Sequence, residues 1–109
     1  MTVSRQVHLV RRPDRVLASE DFALVEVEVP DLKPGQVLVR NEYISVDPYM
    51  RRRMNAGKSY VPPFELNAVM TGGAVGQVID STDEAYAVGD WVAHEFGWRD
   101  LAVLHSRFV

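Results

Sequence analysis

The chain has 109 residues, 47% of them apolar and 25% charged, which suits one soluble globular domain with one core. Its net charge is −3 at pH 7, so the surface as a whole gives no electrostatic reason to bind nucleic acid or an anionic membrane. It has no cysteine, which excludes disulfides, thiolate metal sites and a cysteine nucleophile.

No apolar run approaches the ~20 residues of a bilayer span. The opening "MTVSRQVHLVRRP" has basic residues but no apolar stretch of signal-peptide length, so a cytoplasmic location is expected. "VHLV" reads as the first strand. "ALVEVEVP" alternates Val25, Val27 and Val29 with Glu26 and Glu28, a period of two with one wet face, and Pro30 ends it. Pro34-Gly35 predicts a type II turn, with proline at the second position and glycine supplying a positive φ at the third. "QVLVRNEYISV" resumes an extended run.

The stretch "SVDPYMRRRM" at 45–54 is the one helical segment. Asp47 predicts an N-cap, with its carboxylate accepting the free N–H groups of the first turn. Pro48 fits the first helical position and Gly57 the stop. Met50 and Met54 then share one face, as do Tyr49 and Arg53. Arg51, Arg52 and Arg53 splay about 100° apart, so they cannot all face one ligand. Residues 57–68 are the loosest part, and Pro62-Pro63 should be extended.

"GGAVGQVIDS", "GDWVAHEF" and "DLAVLH" complete six or seven short strands, with Gly89-Asp90 between the first two. That pattern favours a small barrel or sandwich. The glycines at 72, 73 and 76 do not fit the G-x-G-x-x-G dinucleotide fingerprint, and the residues after them are strand-like. They are expected to let neighbouring backbone approach closely. His8, His94 and His105 share no metal-ligand spacing and are expected at polar surface or edge positions. His94-Glu95 could be read as a general base, but no nucleophile motif accompanies it.

"NEYISVDPYMRRRM" (41–54) closely resembles the "Y-x-S-x-D-P-Y-M-R-x-R-M" stretch of zinc-independent medium-chain reductases, the NADPH-dependent alkenal, enone, prostaglandin and curcumin reductases. "LKPGQVLVRNEYIS", "GGAVGQVIDS" and "VGDWVAHEFGWRDLAV" fit the same family in order, so the resemblance covers roughly residues 7–105. It implies a mainly β fold, a GroES-like partly open β-barrel with one or two short helices. Residues 1–109 would be the substrate-side domain. A Rossmann domain of the same full-length chain would come next, carrying most NADP(H) contacts and the catalytic groups. The resemblance further implies that this domain alone is inactive.

Zinc relatives place a Cys near "ISVD" and a His just before the glycine-rich strand. Here those places hold Ser45, Asp47 and "TGG", so no zinc site is expected. The implied reaction is conjugate reduction of an α,β-unsaturated ketone or aldehyde. The resemblance assigns Tyr49 to the substrate pocket and Asp47, Pro48 and Met50 to its floor near the nicotinamide. Tyr60 and Phe64, with Leu66, would either touch an apolar substrate tail or plug the end of the barrel. Some plant members carry a second pocket tyrosine where this chain has Gly73, which implies a roomier, less polar pocket here. The partners expected are an enone or enal and the Rossmann domain, with self-association through the exposed cleft face. Two other readings stay open: a stand-alone binding module without catalysis, and a quinone reductase of the same superfamily.

Overall fold

The computed structural model describes residues 2–57 and 62–109. Among the described residues, seven strands form two antiparallel sheets that do not close into a barrel, and one short α-helix accompanies them. The strands are β1 (Val3–Leu9), β2 (Phe22–Glu28), β3 (Gln36–Ile44), β4 (Ala68–Val69), β5 (Ala74–Ser81), β6 (Trp91–His94) and β7 (Leu101–His105), and helix α1 (Tyr49–Arg53) comes after β3. One sheet runs β2-β1-β4 and the other β6-β5-β3-β7. No helix among the described residues is long and apolar enough to cross a membrane.

The expected turn at Pro34-Gly35 is present: Gly35 has φ +82°, and the Gln36 N–H donates to the Lys33 carbonyl at 3.0 Å. β2 is an edge strand, which explains an outcome the alternation alone does not convey. Val25 and Val29 are half-buried, but Val27 between them is 38% exposed, and Leu24 on the other face is 70% exposed. β4 spans two residues and exists only because His8 and Leu9 pair with Val69 and Ala68.

β3 and β5 pair with two irregularities. One residue of β5, Ile79, is extra opposite Leu38 and Val39, and one residue of β3, Glu42, is extra opposite Gly76 and Val75. The second bulge reverses the alternation of β3. Asn41 turns inward beside Gly76, while Tyr43 turns outward beside Val75 and is 71% exposed. The bulge also brings backbone against Gly76. A Cβ there would stand 2.3 Å from the Arg40 carbonyl oxygen, so only glycine fits.

Two cores result. Val37, Val39, Val78, Val92, Ala102 and Leu104 fill the inner face of the four-stranded sheet. Leu9, Met50, Met54, Phe64 and Met70 pack beneath α1. Burying each methionine contributes about 1.5–3 kcal/mol. That burial holds a five-residue helix which could not persist alone.

The helix is shorter than its sequence signals suggest, and its start differs. The Asp47 carboxylate does not cap it; both carboxylate oxygens are 2.8 Å from the Ser45 hydroxyl, and Pro48 takes the cap position without a side-chain bond. The first turn is satisfied by main chain instead. The Met50 and Arg51 N–H groups donate to the Asp47 and Pro48 carbonyls. At the other end the helix stops at Arg53, ahead of Gly57. The Arg12 guanidinium donates to the Met54 and Phe64 carbonyls at 3.0 and 2.7 Å, closing the C-terminal end with a cation.

Candidate functional site

The corner from 45 to 48 stands between two clefts. One, of about 660 Å³, runs along α1 and is walled by Val7, Leu17, Phe22, Met50, Met54 and Trp98, with Val46, Asp47 and Pro48 at the corner. The other, of about 520 Å³, lies over β5 and is bounded by Ser45, Gly73, Val75, His94 and Glu95 among others.

Local chemistry holds the corner in place. The Ser45 N–H donates to the Gly73 carbonyl at 2.8 Å, and its hydroxyl donates to Asp47. The Asp47 N–H points at the Met50 sulfur, 3.5 Å away. The terminal methyl of Met50 occupies the space a side chain on Gly72 would take: a Cβ there would lie 2.5 Å from it. Gly72 and Met50 therefore share one space, which the flexible end of the methionine fills.

Of the expected site residues, Asp47, Pro48 and Met50 come together at the α1 cleft. Tyr49 is 44% exposed on the outer side of α1, and its hydroxyl takes part in no hydrogen bond among the described residues. It is not sealed in the interior. Tyr60 lies outside the described residues. Phe64 is 5% exposed, inside the core beneath α1, with the Arg53 guanidinium 4.2 Å from its ring centroid. Its ring packs beneath the helix with Leu9, Met50, Met54 and Met70. Leu66 is exposed.

The arginine run divides its labour. Arg51 donates to the Asn55 side chain and the Arg15 carbonyl, and Arg53 to the Pro62 carbonyl and the Thr71 hydroxyl. Arg52 is exposed. Among the described residues no three His, Asp or Glu side chains gather as a metal-binding group.

His94 corrects an expectation. It sits on the edge strand β6, yet it is only 6% exposed. Its Nε2 is 2.8 Å from Asn41 Oδ1, and its Nδ1 accepts the Phe96 N–H at 2.9 Å. Burial, followed by the nearby Arg99 charge, pushes its pKa below the ordinary histidine value. Sequence reasoning missed this because the partner, Asn41, is brought inward by a bulge and lies 53 residues away in the chain. It also missed Trp98, for which the only local signal is the glycine before it.

The family described as the N-terminal domain of oxidoreductase matches residues 5–109, and the chain belongs to it. The NADPH-dependent curcumin reductase of Escherichia coli is 43% identical over 100 residues, 92% of this chain and 29% of that protein. The 2-alkenal reductase (NADP(+)-dependent) of Nicotiana tabacum is 36% identical over 81 residues, 73% of this chain and 23% of that protein. The crystal structure of CurA from Vibrio vulnificus in complex with NADPH superposes with a TM-score of 0.87 at 42% identity, covering 92% of this chain and 30% of that one. The resemblance read from the 41–54 motif is thereby borne out. The chain spans under a third of the length of these relatives.

Proposed function

We propose that this chain is the substrate-side domain of an NADPH-dependent oxidoreductase that reduces the C=C bond of α,β-unsaturated ketones and aldehydes, and that it is inactive by itself. The observation that carries this reading is the corner from 45 to 48, whose Asp47 and Pro48 border an apolar cleft together with Met50, in a chain 43% identical to a curcumin reductase over 100 residues. The name of the 2-alkenal reductase supports an alkene conjugated to a carbonyl as the substrate class.

The residues present fit a nicotinamide cofactor on one side of the corner. Gly73 leaves bare backbone there: an added Cβ would touch only the Ser45 Cβ, at 3.7 Å. Bound NADPH supplies the hydride. This chain contributes binding and orientation. Asp47, Pro48 and Met50 shape the floor toward the nicotinamide, and the walls of the α1 cleft exclude water from an apolar substrate. The Tyr49 hydroxyl donates to a polar oxygen of the substrate. The catalytic groups and the Rossmann domain belong to the remainder of a chain of the relatives' length. The protein works in the cytoplasm, and the isolated domain self-associates through exposed apolar residues near the corner, Tyr43, Ile44 and Val46.

The test is NADPH oxidation by the full-length protein with a panel of enals and enones. Turnover with conjugated carbonyls and none with saturated ones is expected. Absence of turnover with every member removes the proposal. Light scattering that finds only monomer removes the self-association.

A further inference from the structure

The segment between β6 and β7, residues 95–100, is a strap that ties the two sheets together. Its Trp98 carbonyl accepts the Val7 N–H at 2.8 Å, and its Asp100 N–H donates to the Arg5 carbonyl at 3.0 Å. Its Gly97 N–H donates to the Gly72 carbonyl at 2.9 Å, and Arg99 reaches the Gly97 and Met70 carbonyls. Trp98 has φ +59°, a left-handed backbone that a bulky side chain rarely adopts and that persists only when its surroundings enforce it. Its indole forms a wall common to the α1 cleft and the neighbouring cleft of about 460 Å³ between β1 and β3. The indole N–H is buried without a partner among the described residues.

Two polar ties hold the strap in that conformation. At its end the Asp100 carboxylate accepts from the Arg5 main-chain N–H at 2.7 Å and from the Arg5 guanidinium at 3.1 Å. The other tie is a cluster around Asn41. Asn41 Nδ2 donates to the Phe96 and Arg99 carbonyls at 3.1 and 3.0 Å. Since the amide nitrogen is committed to two carbonyls, Asn41 Oδ1 is the acceptor that meets His94. His94 Nε2 must then carry the hydrogen, and Nδ1 must be the lone pair that accepts the Phe96 N–H. Every member is satisfied in one tautomer. A further proton can go only to Nδ1, where the Phe96 N–H already points.

Burial of the ring and the Arg99 charge oppose that proton. From the strap, Arg99 is the charged neighbour and Phe96 stacks on the ring at 6.1 Å. From β3 the facing group is the uncharged Asn41, and from β5 the paired residue is Ala74. Glu95, next in the chain, is exposed.

We propose that His94 is a proton-operated latch: neutral, it holds the strap and Trp98 in place; protonated, it releases the strap and opens the wall between the two clefts. The direction follows from linkage. The latched histidine has a pKa below the ordinary value of about 6.5, while in the released strap it regains that value. The latch is fully favoured above about pH 6.5, and its opening constant rises by up to about tenfold per pH unit as pH falls toward the latched pKa. The latch operates whether or not the full-length protein is a reductase.

The test uses the chain with Trp91→Phe, which leaves Trp98 as the sole tryptophan. Acrylamide quenching of Trp98 is followed from about pH 7.5 to about pH 4.5, across the histidine range. The His94 ring nitrogen shifts are followed by NMR, and strand content by circular dichroism. Quenching should rise several-fold with the midpoint of His94 protonation, below the ordinary histidine value, while strand content is retained. In His94→Gln, which keeps a donor for Asn41 but does not titrate, quenching should be flat with pH. Quenching that ignores the His94 midpoint, that changes only as strand content is lost, or that keeps its pH dependence in His94→Gln overturns the latch. If His94→Gln does not fold, the two midpoints in the Trp91→Phe chain decide it: coincidence supports the latch and separation refutes it.

Discussion

The two cores of this domain are built from different side chains. The four-stranded sheet is lined mainly by valine, stiff at χ1, with backbone ladders on both flanks of β3 and β5. The core beneath α1 holds Met50, Met54 and Met70, every methionine of the chain after Met1. Methionine is unbranched and fills irregular space with little penalty for adjustment. The scaffold is therefore stiff where it must hold register, and adaptable where the corner of the candidate site rests on it.

The contrast is sharpest between two glycines. Gly76 abuts backbone at the bulge, which cannot move without breaking the ladder. Gly72 abuts the end of a flexible methionine. Gly76→Ala should therefore cost about 3 kcal/mol or more, read as a lower urea midpoint. Gly72→Ala should cost only about 1 kcal/mol, and Gly72→Ala with Met50→Ala less than the sum of the two, since the pair shares one space. Equal losses at the two glycines would erase the contrast between the cores.

A third prediction concerns the turn Ser19–Asp21, on the α1 side of the molecule. The Ala18 N–H first, and then Arg11, hold the buried Asp21 carboxyl below the usual carboxylate range. A depressed carboxyl stabilises the fold above its unfolded pKa of about 4, and that stability is lost as pH falls through the folded value. Asp21→Asn should flatten the dependence of the urea midpoint on pH below about pH 4. An unchanged slope would remove Asp21 as its source.

The smallest effect on stability belongs to Tyr49→Phe, within about 0.5 kcal/mol. Its hydroxyl has no partner among the described residues to lose. If the full-length protein is the reductase proposed above, the same change should raise its KM for polar enones about fivefold. An unchanged KM denies the hydroxyl a role in binding.

Much of this was legible in the residues. The Pro34-Gly35 turn, the alternation of β2 and the glycine-rich strand are local signals, because φ preference and period act over a few neighbours. The shared face of Met50 and Met54 is likewise a matter of helical pitch, and both are buried. Asp47 misled because its carboxylate had a nearer partner, Ser45, two residues back. β4 left almost no trace, since a two-residue strand is defined by its neighbour β1.

The sequence by itself determined the β class of this domain, its turns and the residues of the 45–54 corner, since each rests on short-range geometry. Only the tertiary structure decided that His94 is buried, that Asn41 faces it, and that Trp98 takes a left-handed backbone. Those outcomes depend on a one-residue bulge and on contacts between segments more than fifty positions apart, which no local pattern encodes.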